Sequence, residues 1–296
     1  MIWVRRKISK LKEKIATLNL RIGYELGYTV NLVKPTNLKS PDKCPYVSMS
    51  RLERLYIRIF GIPDNVKQQQ ARVVFSFLSR VKFSSVLDVG CSFGHYAIRI
   101  ARKYPSSYVV GIDIDQTHLN VGKVLKTMFG LNNLKLENVD VCSESLGTKY
   151  DVVLLLQVLE HLEDDKKVLK NIKKNIINDG GYLIITAPNR QSPLINWYKR
   201  YVNISGHFRD GYTLKDLAHM IFESGFDIVE TKYLSGTIGQ ITEKVETYLK
   251  TKSLFAFALI YPFLYLLNIF DDIVNRGINE NNSGIFIVAR PIRSSM

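Results

Sequence analysis

The sequence predicts an α/β fold: a seven-stranded, mostly parallel, doubly wound sheet. From Ser84 onward, short apolar runs alternate with helical segments, which is the pattern of βαβ units in a parallel sheet. The run at 151–156 is apolar throughout after Asp151, as expected of a strand that helices cover on both faces.

The elements follow one another in a regular order. The predicted strands are 86–89, 108–112, 134–139, 151–156, 181–187, 226–233 and 284–290. The predicted helices are about 93–104, 116–129, 164–178 and 213–223. Asp64 is a suitable N-cap for an earlier helix that runs to Val81.

Residues 1–63 form a separate N-terminal region. Residues 1–30 combine Lys and Arg with apolar residues at helical spacing, which predicts a basic amphipathic helix. Such a helix can lie on an anionic membrane or pack its apolar side on the domain. A proline-containing linker follows at 31–47, and residues 48–60 are again helical in pattern.

The composition of the chain indicates which kinds of partner and which cellular compartment to expect. The 296-residue chain has 41 Lys and Arg against 27 Asp and Glu, a net charge of +14, which favours anionic partners or reflects a general compositional bias. Cys44, Cys91 and Cys142 are few and far apart, so we expect no disulfide framework and a cytoplasmic protein. No apolar run follows the basic start, so no signal peptide is expected.

The segment VLDVGCSFG at 86–94 ends a strand and enters a helix. Ligands of open α/β sheets bind beyond the carboxyl ends of the strands, and Gly90 and Gly94 would let the backbone approach a ligand closely. Asp88 can organise this loop or meet a cationic amine. The alternative is a tight strand–helix turn without a ligand.

Polar residues also end the next strands. Asp113 follows the second strand, where a carboxylate can accept hydrogen bonds from both ribose hydroxyls, whereas Asp115 suits a helix N-cap. Asp140 ends the third strand and would contact an adenine amino group or cap a short turn. Gln157 follows the fourth strand and would face the same crevice.

Residues 64–233 resemble class I S-adenosylmethionine-dependent methyltransferases. The matching motifs, in order, are VLDVGCSFG, VVGIDID, ENVDV, YDVVLLLQVLEHL and GGYLIITAPN. The resemblance implies the strand order 3-2-1-4-5-7-6, with strand 284–290 antiparallel, and S-adenosylmethionine as cofactor. One departure is Ser92, at a position where the family often has glycine.

The resemblance also assigns cofactor contacts. Four residues would surround the methionine moiety: Asp88, Gly90, Cys91 and Gly94. Asp113 would bind the ribose hydroxyls, Ile114 would pack on adenine, Asp140 would approach the adenine edge, and Gln157 would line the methionine end.

Catalysis would rest on proximity and, for a hydroxyl acceptor, on a general base. The candidate bases are His161 and His207, although the sequence favours a structural, hydrogen-bonding role for His161. His207, Arg209 and Tyr212 are the candidate substrate residues; alternatively, Arg209 is a loop charge ahead of Thr213 as N-cap. No Cys, His or Asp cluster has metal-ligand spacing, so we expect no metal.

Residues 253–270 carry no charge, and Pro262 lies at their middle. They belong to a predicted insertion, 234–283, between the methyltransferase domain and the last strand and tail at 284–296. Because strands 226–233 and 284–290 share one sheet, a single membrane crossing is excluded. The helix would cap an apolar acceptor pocket, lie in a membrane surface, or pack against the N-terminal helices.

These features predict a methyltransferase acting at oxygen or carbon of a small or lipid-linked acceptor, in the cytoplasm at the inner membrane face. Two alternatives stay open: a catalytically silent module that serves a membrane or an assembly, and an RNA methyltransferase. Only the charge suggests RNA, since the sequence has no RNA-binding module with interleaved aromatic residues, so nucleic acid is not the expected partner.

Overall fold

The computed structural model describes residues 64–142, 146–201, 207–275 and 279–292. The basic helix, the linker and the helix at 48–60 that the sequence predicts lie outside these residues.

Seven strands form one sheet in the order β3-β2-β1-β4-β5-β7-β6, which confirms the predicted topology. The strands are β1 (Ser85–Val89), β2 (Tyr108–Asp113), β3 (Leu134–Asn138), β4 (Tyr150–Leu156), β5 (Ile177–Pro188), β6 (Phe226–Leu234) and β7 (Gly284–Pro291). The first five strands pair in parallel, and β7 is antiparallel to both β5 and β6. The carboxyl ends of β1, β2 and β4 therefore meet at one edge.

The described helices are α1 (Asn65–Leu78), α2 (His95–Lys103), α3 (Gln116–Met128), α4 (Asp165–Asn171), α5 (Leu194–Tyr201), α6 (Leu214–Glu223), α7 (Thr237–Lys252) and α8 (Leu254–Asn275). Three predicted N-caps are confirmed: the side chains of Asp64, Asp115 and Thr213 accept backbone N–H groups at the starts of α1, α3 and α6. Helices α5 and α7 were not predicted.

The region predicted as one helix over 164–178 is more complex. Helix α4 ends at Asn171, a π-helical turn spans Ile172–Ile176, and β5 already begins at Ile177. An apolar pattern alone does not distinguish a helix from a buried strand here. Ile172 and Ile176 of the π-helical turn and Ile177 of β5 are all fully buried.

Both faces of the sheet are buried. Leu87 and Val89 of β1 belong to one hydrophobic cluster, while Val86 belongs to the cluster on the other face. Successive side chains of a strand point to opposite faces, so each strand contributes to both clusters. Ligands of open α/β sheets bind beyond the carboxyl ends of the strands, so the loops that leave these ends form the candidate site.

The chain divides into two compact units. Of the described residues, the sheet unit includes those within 69–240 and 270–292, and the second unit includes 64–68 and 241–269. Within the second unit, Glu246 accepts a hydrogen bond from the Asn65 backbone N–H at 3.0 Å and pairs with Lys250. The Phe257 and Tyr261 rings lie 5.4 Å apart and are fully buried.

Helix α8 includes the apolar segment that the sequence predicts and continues through Pro262. Within the described residues, one stretch, Phe255–Asn275, is long and apolar enough to cross a membrane by length and composition, and 28% of its most apolar window is buried. Its exposed apolar residues recur every three or four positions: Phe255, Leu259, Phe263, Leu266, Phe270 and Ile273. This helix therefore presents one continuous apolar stripe to solvent.

Candidate functional site

The loop between β1 and α2 takes a backbone path that favours small residues. Gly90 has φ +67° and Gly94 has φ +78°, both in the left-handed region, and Gly94 directly precedes α2. A Cβ at Gly90 would lie 2.7 Å from Cγ2 of Val158, so the loop also needs the absence of a side chain there. Ser92, the departure from the family pattern, adopts φ +51°.

The Asp113 carboxylate holds this loop against the end of β2. One carboxylate oxygen accepts the Ser92 backbone N–H at 2.7 Å, and the other accepts the Asp115 backbone N–H at 2.8 Å. The Ser92 hydroxyl lies 3.1 Å from Nδ1 of His118 on α3. Because each carboxylate oxygen can accept further hydrogen bonds, Asp113 is oriented by the protein and can still receive two ribose hydroxyls.

Asp88 connects β1 to α2. Its carboxylate is buried and accepts the Ala97 backbone N–H at 3.0 Å. Burial raises the pKa of Asp88 from 3.8 to about 7; the charge of Asp113 also raises it, and the Ala97 hydrogen bond opposes the shift. Of the two roles considered from sequence, the structure shows the loop-organising one, and contact with the cofactor stays a prediction.

The remaining predicted cofactor residues differ in placement. Ile114 is 75% exposed at the end of β2, free to pack on a flat ligand ring. Gln157 has φ +58°, and its side-chain amide lies 3.5 Å from the Thr186 hydroxyl. Asp140 accepts the Cys142 backbone N–H at 2.8 Å, as in the short-turn alternative.

The Cys91 side chain lies in the core, with 4% of the residue exposed. Its side chain is buried in the hydrophobic cluster that includes Leu136, and burial raises the pKa of its thiol. Its backbone N–H donates to the carbonyl oxygen of Ile112, and its carbonyl accepts the Gly94 N–H. The thiol therefore packs the loop, and a cofactor contact of this residue stays a prediction.

The two predicted histidines come together beyond the end of β4. The His161 and His207 rings lie 4.3 Å apart in an edge-to-face arrangement. The Phe208 backbone N–H donates to the Glu160 carbonyl at 2.9 Å, which holds the His207 segment to the turn at Leu159–His161. Burial and the neighbouring His161 lower the pKa of His207.

Glu160 joins this pair, although sequence reasoning assigned it no role. Its carboxylate, together with one nitrogen of each histidine, gives three ligand atoms within 4.8 Å of one another. The available signal was the Glu-His pair after a buried strand, but the sequence could not show that His207 returns to it.

Arg209 and Tyr212 form a network with Asp165. The Tyr212 hydroxyl donates to the Asp165 carboxylate at 2.7 Å, and Arg209 donates to the same carboxylate, to the Tyr212 oxygen and to the Glu163 carbonyl. Burial is the main cause that raises the pKa of Tyr212. These bonds favour a positioning role for both residues, and their contact with substrate stays a prediction.

The strand order, the acidic strand ends and the matching family model together define a class I S-adenosylmethionine-dependent methyltransferase. Residues 53–231 match the family model described as a methyltransferase domain, and the chain belongs to this family. The prediction of S-adenosylmethionine as cofactor is thereby confirmed.

Individual relatives are distant. The chain is 26% identical to N-methyltransferase 4 of Papaver somniferum over 168 residues, covering 52% of this chain and 45% of that protein. It is 29% identical to the ubiquinone biosynthesis O-methyltransferase of Acinetobacter baumannii over 107 residues, covering 36% of this chain and 44% of that protein. The chain spans less than half the length of the curated relatives it matches.

The fold is similar to that of phosphoethanolamine N-methyltransferase 2 of Haemonchus contortus in complex with S-adenosyl-L-methionine. The TM-score is 0.57 at 18% identity, and the match covers 76% of this chain and 52% of that chain. At this identity the likeness shows the fold alone.

Proposed function

We propose that this protein methylates an oxygen or carbon of a small or lipid-linked acceptor at the cytoplasmic face of a membrane. The observation that carries the transferase activity is the Asp113 carboxylate, fixed by two backbone N–H groups beside the Gly90 loop. When bound, the cofactor supplies a methyl group attached to a positively charged sulfur. After the methyl group passes to the acceptor, the sulfur remains in the leaving group as a neutral thioether.

The protein's own contribution is orientation. Asp113 would hold the ribose, Ile114 would cover the adenine ring, and Gln157 would border the methionine end. His161 and His207 lie past Gln157 at the end of β4, so the acceptor would enter there. Their assignment as the groups that receive an acceptor proton remains a prediction, and the relatives named above include both N- and O-methyltransferases.

The exposed stripe on α8 supports a lipid-linked acceptor. Phe255 is 81% exposed and Leu259 is 73% exposed, and four further apolar side chains continue the same face. A contiguous apolar surface of this kind indicates an interaction with a membrane or another apolar partner. A helix with this stripe would lie in the interface and bury its apolar side among the acyl chains.

The topology supports an in-plane position over a crossing. Leu234 of β6 pairs with Gly284 of β7, so the chain leaves and re-enters the sheet at the same end. Helix α7 carries Glu243, Lys244, Glu246, Lys250 and Lys252 and is too polar to cross. A single crossing by α8 would therefore place β6 and β7 on opposite sides of the membrane.

Basic residues of the sheet unit would favour an anionic lipid surface. Arg99 and Lys103 of α2 lie over the Phe75 ring at 5.4 Å and 4.9 Å, and Arg72, Arg102 and these residues line one surface depression. The Arg72 side chain also bonds to Asp272 of α8, which brings the depression next to the end of the apolar stripe. This arrangement supports contact with acidic headgroups.

The proposed function is tested by comparing lipid and glycan extracts from cells that produce the wild-type chain, the Asp113→Asn variant or neither. Mass spectrometry should detect a species heavier by one methylene only with the wild-type chain. A methylated species confined to water-soluble metabolites would keep the transferase activity and contradict the lipid-linked acceptor. Identical extracts in all three cells would contradict the proposal.

A further inference from the structure

We propose that Glu160, His161 and His207 form a binding site for a divalent transition-metal ion at the acceptor end of the crevice. The three residues come from the turn that follows β4 and from the segment that precedes α6, and their ligand atoms lie within 4.8 Å of one another. This inference rests on the proposed function for its role, but the binding itself can be measured independently.

The distances fit one ion after a small closure of the side chains. Nitrogen and carboxylate ligands lie about 2.0–2.2 Å from Zn²⁺, so two ligands of the same ion are at most about 4.4 Å apart. The hydrogen bond from Phe208 N–H to the Glu160 carbonyl already joins the two segments at 2.9 Å.

The Glu160 carboxylate supplies the second observation. The residue is 1% exposed, and its Oε2 has no hydrogen-bond partner within the described residues. A buried carboxylate oxygen without a partner is costly, and a cation is the ligand that would relieve this cost.

The charges around the triad permit a cation. Arg209 is a positive group near Glu160, and its guanidinium pairs with Asp165. Asp210 also interacts with His207. The positive charge of Arg209 is therefore balanced by Asp165, and the ion would not face an unpaired positive charge there.

The donor set determines the kind of ion. Two imidazoles and one carboxylate suit Zn²⁺, Fe²⁺ and similar first-row ions, whereas Mg²⁺ and Ca²⁺ prefer ligand sets made of oxygen. Three protein ligands leave coordination positions open, as in catalytic rather than structural zinc sites. This proposal replaces the expectation from sequence that the chain binds no metal.

The open position would hold a hydroxyl of the acceptor. When bound, such an ion would supply Lewis-acid chemistry that lowers the pKa of an acceptor hydroxyl, so the O–H proton could pass to water while its electron pair stays on oxygen. Such deprotonation would activate an oxygen acceptor for attack on the methyl group. The histidines would then act as ligands in the metal-bound enzyme.

The test is titration of the purified, chelator-treated full chain with Zn²⁺ and Mn²⁺ by calorimetry, with metal content by mass spectrometry after dialysis. We expect one saturable site per chain for Zn²⁺ or Mn²⁺ and far weaker Mg²⁺ binding. Glu160→Gln, His161→Gln and His207→Gln should each weaken binding by more than the about 10- to 100-fold that loss of an outer-shell partner costs, since each removes a ligand. His219→Gln, at a histidine on α6 paired with Glu223, is the matched control and should bind as wild type.

Two further measurements separate the possible failures. Thermal denaturation without metal establishes that each variant folds, and saturating Zn²⁺ should raise the melting temperature of the wild type but not of the three ligand variants. S-adenosylhomocysteine binding by the same proteins reports the cofactor site. Normal cofactor binding without a saturable metal site overturns the metal proposal alone, and loss of cofactor binding in the wild type overturns the proposed function alone.

Discussion

At the scale of single residues, the cofactor loop depends on a carboxylate with two backbone donors. Asp113 accepts N–H groups from Ser92 and Asp115, so its orientation is set before any ligand arrives. Ser92 adopts a positive φ, and the bond from its own N–H to Asp113 helps to hold this conformation. The serine is therefore tolerated at a glycine position because a neighbouring side chain fixes its backbone.

Asp113→Asn should reduce the affinity for S-adenosylhomocysteine by about 10- to 100-fold, because hydrogen bonds to a charged group contribute about 1.5–3 kcal/mol. An asparagine offers one acceptor oxygen where the carboxylate offers two. Isothermal titration calorimetry measures the loss, and Asp227→Asn, at an exposed position on β6, is the control. Equal affinities of the two variants would contradict the role given to Asp113.

Gly90→Ala should destabilise the chain by about 1–3 kcal/mol, because it combines a left-handed backbone with a steric clash. The new Cβ would lie 2.7 Å from the Val158 side chain. Gly130→Ala is a matched control, since Gly130 also has a positive φ of 63° but no atom within 4 Å of the added Cβ.

Urea denaturation of both variants separates the two costs. The additional loss in Gly90→Ala over Gly130→Ala reports the clash alone. A second substitution, Val158→Ala, should recover part of this difference. If the two glycine variants lose equal stability, the close approach of Val158 to the loop contributes nothing to the free energy of unfolding.

At the scale of elements, helix α8 has one buried apolar face and one exposed apolar face. Phe257, Tyr261 and Leu264 are buried, while Leu259, Phe263 and their neighbours remain exposed. A soluble helix normally hides its apolar stripe, so the exposed side needs another partner. The helix continues through Pro262 to Asn275.

The double variant Leu259→Asp/Phe263→Asp should bind vesicles of phosphatidylglycerol and phosphatidylcholine at least about 10-fold more weakly than wild type. Burying a large apolar side chain contributes about 1.5–3 kcal/mol, and aspartate reverses that contribution. Co-sedimentation measures the bound fraction. Phe222→Asp, at a 60% exposed phenylalanine on α6, should bind as wild type. Unchanged binding of the double variant would contradict the membrane-facing assignment of α8.

At the scale of the whole molecule, the sheet could be predicted from the sequence because each buried strand is a short run of apolar residues that is visible locally in the sequence. The uninterrupted apolar run of β4 and the acidic strand ends placed Asp113 and Gln157 at one edge, and the pairing of β1 with β2 and β4 agrees. Contacts between residues that are far apart in the sequence produce no such local pattern. The approach of His207 to Glu160, and of Arg209 to Asp165, depends on how one loop folds back onto another.

The stability of the whole chain should depend on pH through Asp88. Its pKa is 3.8 when exposed and about 7 in the folded chain, so between these values the folded state keeps a proton that the unfolded state releases. The contribution is fully present below pH 3.8 and is lost as the pH rises toward about 7. Above that pH the folded chain carries a buried charge.

Asp88→Asn should remove this dependence, because asparagine stays neutral while its carbonyl oxygen can still accept the Ala97 N–H. Without cofactor, the advantage of the variant over wild type should grow by about 2–3 kcal/mol between pH 5 and pH 8, since each pH unit between the two pKa values changes the difference by about 1.4 kcal/mol. Urea denaturation across this range measures the difference, with Asp227→Asn expected to follow wild type throughout. Parallel curves for wild type and Asp88→Asn would show that the Asp88 carboxylate is already charged in the folded chain at pH 5, and that the loop tolerates its charge.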